Sequence, residues 1–397
     1  MIRFPSAIRW LPVLGILAIV GALLLTGILF VHSASAGPDD PFPSPLAKNH
    51  AIRVLIGIGL FSMVAFTDYR LFDRWAPILF GASLFLLLII LGMKVAQGGG
   101  VVRWFRIGGF SLQPSEFAKL GTVIILARLL KQGHMSVREK PWFACFIAAA
   151  VPFLMIAAQP DLGTALVIAP ITLSILWVAG ISIRFLASLG IAALALMVFG
   201  YEHLHDYQKT RLLVFLGRAG DNAASGDGYH ITHSKISIGS GGPTGKGYGL
   251  GTHQDLGFLP EDHNDFIFGV IGEEMGLIGT LGLIFLFVCL FALCLRIAWT
   301  TREPFGRLAV IGITAQLAFQ TVVNLSMTVG LAPVTGLPLP FVSYGGTSMF
   351  VVMMGIGFIV SVGLRRVESL HPDGLRAGSA QREFRAIRIR SRERVGY

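Results

Sequence analysis

The sequence predicts an all-α, polytopic membrane protein with about ten transmembrane helices, and three observations predict it. Hydrophobic residues make up 54% of the 397, and charged residues only 14%. Mean hydropathy is +0.70. Apolar runs long enough to cross a bilayer recur along the chain. A water-soluble domain of this composition would have no polar surface to present, so the soluble classes are excluded.

The first run, 11–31, follows Arg3 and Arg9 and resembles a signal peptide, but its length and the many later runs make it an uncleaved first helix. Further runs lie near 52–67, 76–93, 115–130, 143–158, 162–178, 185–202, 266–293, 307–330 and 343–363. The three cysteines, Cys145, Cys289 and Cys294, fall inside these runs with no metal-like spacing, and read as apolar core residues.

An even number of spans places both termini on one side. The short connections at Arg70 and Arg74, Lys131 to Lys140, Arg184, and Arg296 to Arg307 are basic, which assigns them and both termini to the cytoplasm. The opposite side then receives 32–51, 94–114, 159–161, 203–265 and 331–342. The segment 203–265 is a large external loop between spans seven and eight, too short for its own core and glycine-rich over 239–251. Tyr229, Ile231, Ile236, Ile238 and Leu250 give it something to bury, so it reads as a structured lid. The division is thus a membrane domain, 1–363, and a basic cytoplasmic tail, 364–397, with nine arginines against four acids. That tail is a topology anchor and anionic-lipid contact. It lacks a recognition motif and interleaved aromatics, so no nucleic-acid partner is expected.

Four polar clusters fall on the external side. Arg103-Trp104-Phe105-Arg106 leads into Gln113-Pro114-Ser115-Glu116-Phe117-Ala118-Lys119, where Pro114 opens a helix and Glu116 and Lys119, three residues apart, share a face. Gln159-Pro160-Asp161-Leu162-Gly163-Thr164 is a tight turn whose Asp161 can cap the next helix. Leu259 to Glu274 carries Glu261, Asp262, His263-Asn264-Asp265, Glu273 and Glu274 directly before and into an apolar run, where ionisable groups are costly and usually functional. Pro333 to Pro340, followed by Ser343-Tyr344-Gly345-Gly346, cannot continue a helix and reads as a rigid re-entrant loop.

In this order, from the first span through Ser361, the clusters resemble the SEDS family (shape, elongation, division, sporulation), whose members include RodA, FtsW and SpoVE. Asp206-Tyr207-Gln208, Gly228-Tyr229-His230, Ser234-Lys235, Gly245-Lys246-Gly247 and Phe258-Leu259-Pro260-Glu261 look like the RodA branch, the elongation member. The resemblance implies a peptidoglycan glycosyltransferase that polymerises lipid II on the outer face of the bacterial cytoplasmic (inner) membrane. It also implies a class B penicillin-binding protein transpeptidase and elongation-complex membrane proteins as partners. It places the family's essential loop aspartate on Asp265. Asn264 stands where a threonine is usual, and His253 where glutamine is expected.

A sugar hydroxyl that displaces undecaprenyl pyrophosphate with inversion needs a base, positive charge for the leaving group and an apolar groove for lipid. One carboxylate suffices, unlike the pair in most glycosidases. Asp265 is therefore the expected general base. Arg103, Lys119, Arg211, Lys235 and Lys246 are the expected pyrophosphate contacts, with Glu116, Asp161 and Ser343 as further substrate-site residues. A divalent cation, Mg or Mn, could share the charge, although no dedicated cage of ligands is visible. The competing readings are a lipid II flippase, an FtsW-like division polymerase and a scaffold that only recruits the transpeptidase.

Overall fold

The computed structural model describes residues 6–36, 42–98, 102–107, 110–132, 141–199, 206–215, 227–251 and 264–368. Glu261, Asp262, His263 and His253, and the tail beyond 368, lie outside them. A helix stands at each of the ten apolar runs: α1 (Ser6–Ser33), α2 (Pro45–Phe66), α3 (Tyr69–Ala96), α4 (Pro114–Leu130), α5 (Trp142–Ala157), α6 (Leu162–Val178) and α7 (Ile183–Phe199), then, past two shorter helices, α10 (Ile267–Thr300), α11 (Pro304–Thr328) and α12 (Thr347–Glu368). The protein is an all-α integral membrane protein. Six of these helices, α1, α2, α3, α10, α11 and α12, are long and apolar enough to cross a membrane by length and composition. Helices α4 to α7 have only 16 or 17 residues, near the lower limit for a span.

The helices begin where local chemistry starts them. Ser44 accepts from the Ala47 amide at 3.2 Å ahead of Pro45, and Asp68 accepts from the Arg70 amide at 2.9 Å. Glu303 accepts from the Gly306 amide at 2.8 Å ahead of Pro304. Each satisfies a donor that a helix start leaves open. At the opposite ends, Arg365 of α12 donates to the Ala65 carbonyl at 3.2 Å and the Phe66 carbonyl at 2.6 Å, the last acceptors of α2. Asp73 gathers Lys131 at 2.6 Å and Arg128 at 3.6 Å at this same end of the bundle.

The large loop is partly helical. Helix α8 (Asp206–Phe215) and helix α9 (Asp227–Ser240) lie within it, and α9 packs on α10 and α11. Ile231 is buried with Phe266, Met327 and Val334. Two of the residues expected to bury the lid remain outside: Ile236 is 46% and Leu250 63% exposed. A short hairpin, β1 (Phe105–Ile107) with β2 (Phe110–Leu112), departs from the all-helical expectation. Three-residue strands are too short to show a period in the sequence.

The eighth apolar run holds a break that its apolar pattern does not announce. Helix α10 has 34 residues, and Gly276 within it adopts φ 64° and ψ −160°. The break frees acceptors before it and donors after it. The glycine-rich stretch supplies both kinds of partner: the Lys246 and Gly247 amides donate to the Glu273 and Glu274 carbonyls at 3.0 Å each. The Leu277 and Ile278 amides donate to the Gly242 and Pro243 carbonyls at 2.9 and 3.1 Å. Broken backbone is tolerated at membrane depth only with such repair. A β-carbon on Gly241 would sit 2.0 Å from the Gly272 carbonyl oxygen, and one on Gly245 would sit 2.1 Å from that of Glu274. The glycines are what let two backbones touch.

Gly276→Ala places a side chain on a left-handed backbone 2.3 Å from the Gly245 amide nitrogen. It is expected to cost about 2–4 kcal/mol, from strain plus lost hydrogen bonds. Gly282→Ala, with nothing within 4 Å, is expected to be neutral. Melting of the two variants in the same detergent checks the difference; equal melting temperatures would refute the repair account.

Candidate active site

All four polar clusters meet in one cavity of about 480 Å³ at one end of the bundle. That volume lies within the usual range for ligand pockets, roughly 300–1,000 Å³. Its lining includes Arg53, Arg103, Gln113, Glu116, Asp161, Arg211, His230, Asn264, Asp265, Gly336 and Tyr344.

Asp265 lies in the turn 264–266 that opens α10, and is half-buried. The first turns of α10, Ile267 to Glu274, are buried throughout, so this half-helix is an internal strut that carries the aspartate to the cavity. Its carboxylate faces the proline-rich loop: a β-carbon on Gly336 would lie 3.6 Å from Oδ2. Asn324 of α11 donates from Nδ2 to the Asp265 carbonyl at 2.9 Å and to the Leu337 carbonyl at 2.8 Å.

Asp161 caps α6, accepting from the Thr164 amide at 3.3 Å, as its position in the sequence suggests. It also accepts from Gln113 Nε2 at 3.0 Å, which ties the start of α6 to the start of α4. Arg103 donates to the Gln159 carbonyl at 3.3 Å and to the Pro160 carbonyl, so it staples the hairpin to this turn. Thr347, at the start of α12, accepts from the Gln113 amide at 2.9 Å and donates to the Ser111 carbonyl at 2.8 Å. Opposite, a β-carbon on Gly163 would lie 2.2 Å from the Thr335 carbonyl oxygen, so α6 and the proline-rich loop touch through backbone.

Glu116 lines the cavity, and Lys119 Nζ binds its Oε1 at 2.6 Å. The side chains are 3% and 0% exposed, so Lys119 is turned inward and is not a lining group. The other residues picked from sequence also separate. Arg103, Glu116, Asp161, Arg211 and Asp265 come together in the lining, whereas Lys235, Lys246 and Ser343 are outside it. Lys235 lies over Gly330. Lys246 pairs with Glu273 beneath the helix break. Ser343 accepts from the Leu339 amide at 2.9 Å and braces the loop. For Lys246 and Ser343 the polar group is already used to balance a buried charge or hold backbone.

Three further groups belong to the site. Arg53 sits inside the second apolar run, and its guanidinium lies 4.2 Å from the Tyr344 ring centroid, a cation–π contact that holds it at the cavity. An arginine within an apolar run was the available signal. His230 reaches the lining from α9, beside Phe266 with ring centroids 5.7 Å apart. Asn324 is fully buried in α11, and nothing local marks it. Among the described residues no group of three or more His, Cys, Asp or Glu side chains could hold a metal ion.

The model of the cell cycle protein family FtsW/RodA/SpoVE matches residues 14–367. The chain is 36% identical over 351 residues to the peptidoglycan glycosyltransferase MrdB of Escherichia coli K12, covering 88% of this chain and 93% of that protein. It is 35% identical over 353 residues to a protein of Trichlorobacter lovleyi named "Probable peptidoglycan glycosyltransferase FtsW", covering 87% and 92%. Among solved structures, a peptidoglycan synthase complex, described for its structural coordination of polymerization and crosslinking, aligns at TM-score 0.71 and 30% identity, over 89% of this chain and 97% of that one. The rod shape determining protein RodA of Thermus thermophilus aligns at TM-score 0.65 and 29% identity, over 89% and 96%.

The buried Glu116–Lys119 pair yields a stability prediction. Lys119→Met strands a buried carboxylate and is expected to cost about 3–5 kcal/mol, whereas Glu116→Gln combined with Lys119→Met recovers most of it. Thermal unfolding of both variants measures this; a double variant no more stable than the single one would contradict a mutually neutralising pair.

Proposed function

Because the chain belongs to the FtsW/RodA/SpoVE family, we infer that it is a peptidoglycan glycosyltransferase, and we propose that it polymerises lipid II in the cavity around Asp265. One observation carries this reading. A half-buried carboxylate shares a single cavity with Arg53, Arg103 and Arg211 at the end of an apolar bundle.

The chemistry assigns roles by type. Asp265 takes the proton from the acceptor sugar hydroxyl as that oxygen attacks the anomeric carbon of the donor. The bond to undecaprenyl pyrophosphate breaks in the same displacement, and its electron pair leaves with the pyrophosphate. No second carboxylate is needed as acid, because pyrophosphate leaves as a stable anion. Arg53, Arg103 and Arg211 face that anion, and guanidinium suits its oxygens better than ammonium does. Lys119 acts indirectly by neutralising Glu116. A Mg or Mn ion arriving with the pyrophosphate needs only one or two protein carboxylates, and Asp265, Asp161 and Glu116 are those the cavity holds; no step above depends on it.

The setting follows from the same reading. The cavity opens at the outer face of the bacterial cytoplasmic membrane, both termini are cytoplasmic, and 1–363 is the membrane domain with 364–397 as its basic tail. The role is elongation, supported by the RodA-like stretches named above. A structural relative is a complex that coordinates polymerization with crosslinking, which supports a class B penicillin-binding protein transpeptidase as partner.

Asp265→Asn is expected to lower lipid II polymerisation by about 10²–10⁴-fold while leaving complex formation with the transpeptidase intact. Gel analysis of glycan strands made by the co-purified complex checks this. Wild-type strand synthesis by Asp265→Asn would remove the base assignment.

A further inference from the structure

We propose that Asn324 is the positioning residue for Asp265, the buried amide that sets the general base at its working distance from the adjoining proline-rich wall of the cavity. The inference rests on the reading of Asp265 as base.

Asn324 is 0% exposed and does not line the cavity, so any effect on the reaction passes through other residues. Its Nδ2 carries two N–H donors, and two carbonyls receive them: Asp265 at 2.9 Å and Leu337 at 2.8 Å. The two acceptors belong to different walls. Asp265 is in the turn that opens α10, and Leu337 is in the proline-rich loop, neither of them helical at that point. The carboxylate leans on the same loop, since a β-carbon on Gly336, next to Leu337, would lie 3.6 Å from its Oδ2. A planar amide fixes the angle between its two donors, so one side chain sets the spacing and orientation of both walls. Asn324 Oδ1 has no partner among the described residues. The two donor contacts are therefore what hold this polar group in the bundle.

Reaction geometry is sensitive to such spacing; a displacement of about 1 Å can cost on the order of 10²-fold in rate. A positioning role therefore predicts a loss in kcat with little change in KM. Asn324→Leu keeps the volume and removes both donors. Asn324→Asp keeps the shape, cannot donate when ionised and regains one donor when protonated.

The test is lipid II polymerisation by the full chain co-purified with its transpeptidase, at several lipid II concentrations and from pH 6 to 9. Asn324→Leu is expected to lower kcat by about 10–100-fold with KM within about twofold. Asn324→Asp is expected to gain activity relative to wild type as the pH is lowered. The proposal is overturned if Asn324→Leu keeps kcat within about twofold, or if KM carries the loss. If Asn324→Leu does not fold, an Asn324→Asp activity ratio that stays flat across the pH range overturns it. Asp265→Asn in the same assay separates the two readings. An active Asp265→Asn defeats the base assignment, whereas an inactive one beside a fully active Asn324→Leu defeats only the role of Asn324.

Discussion

The structure depends on the repair of one helix break. A 34-residue helix is about 50 Å long at 1.5 Å per residue, far more than the ~30 Å of a hydrocarbon core. Gly276 divides α10 into a half-helix buried inside the protein and a longer segment that can span on its own. Without partners, the backbone groups freed there would each cost roughly 1–3 kcal/mol. Four hydrogen bonds from the glycine-rich stretch satisfy them. The same stretch carries Lys246 to Glu273. Ser33 of α1 donates to Glu274, and the Tyr248 hydroxyl donates to the Leu29 carbonyl at 2.9 Å. The break is thus fastened to α1, and the half-helix beyond it points the Asp265 turn into the cavity.

Two kinds of cation follow from that arrangement. Lys119 and Lys246 are spent on buried carboxylates, and they make it affordable to keep Glu116 and Glu273 in the bundle. Arg53, Arg103 and Arg211 line the cavity instead. Arg103 has a double use, since the carbonyls it binds fix the wall it belongs to. A chain with only 14% charged residues therefore concentrates charge where a pyrophosphate would need it.

Features made by neighbours in sequence were legible before the structure. The apolar runs located ten helices, Pro114 and Asp161 announced the starts of α4 and α6, and the spacing of Glu116 and Lys119 foretold their pairing. The proline-rich segment read correctly as non-helical. Features made by distant partners were not legible. Gly276 resembles any glycine of a membrane helix until the stretch near Gly245 is laid against it. Asn324 is an ordinary polar residue of an apolar run until it meets Asp265, far away in sequence, and Leu337 across the intervening turn. Lys119, Lys246 and Ser343 illustrate the converse. Their chemistry suits substrate, but local geometry commits it elsewhere, and only coordinates show which way a side chain is spent.

The central claim is that one cavity holds both the base and the leaving-group contacts. The most direct measurement is a structure of the Asp265→Asn protein with lipid II bound at donor and acceptor positions. The account predicts the donor pyrophosphate against Arg53, Arg103 and Arg211, with the acceptor hydroxyl within hydrogen-bond reach of residue 265, about 2.6–3.2 Å. A substrate lying clear of this cavity, or an acceptor hydroxyl nearest some other carboxylate, would contradict it.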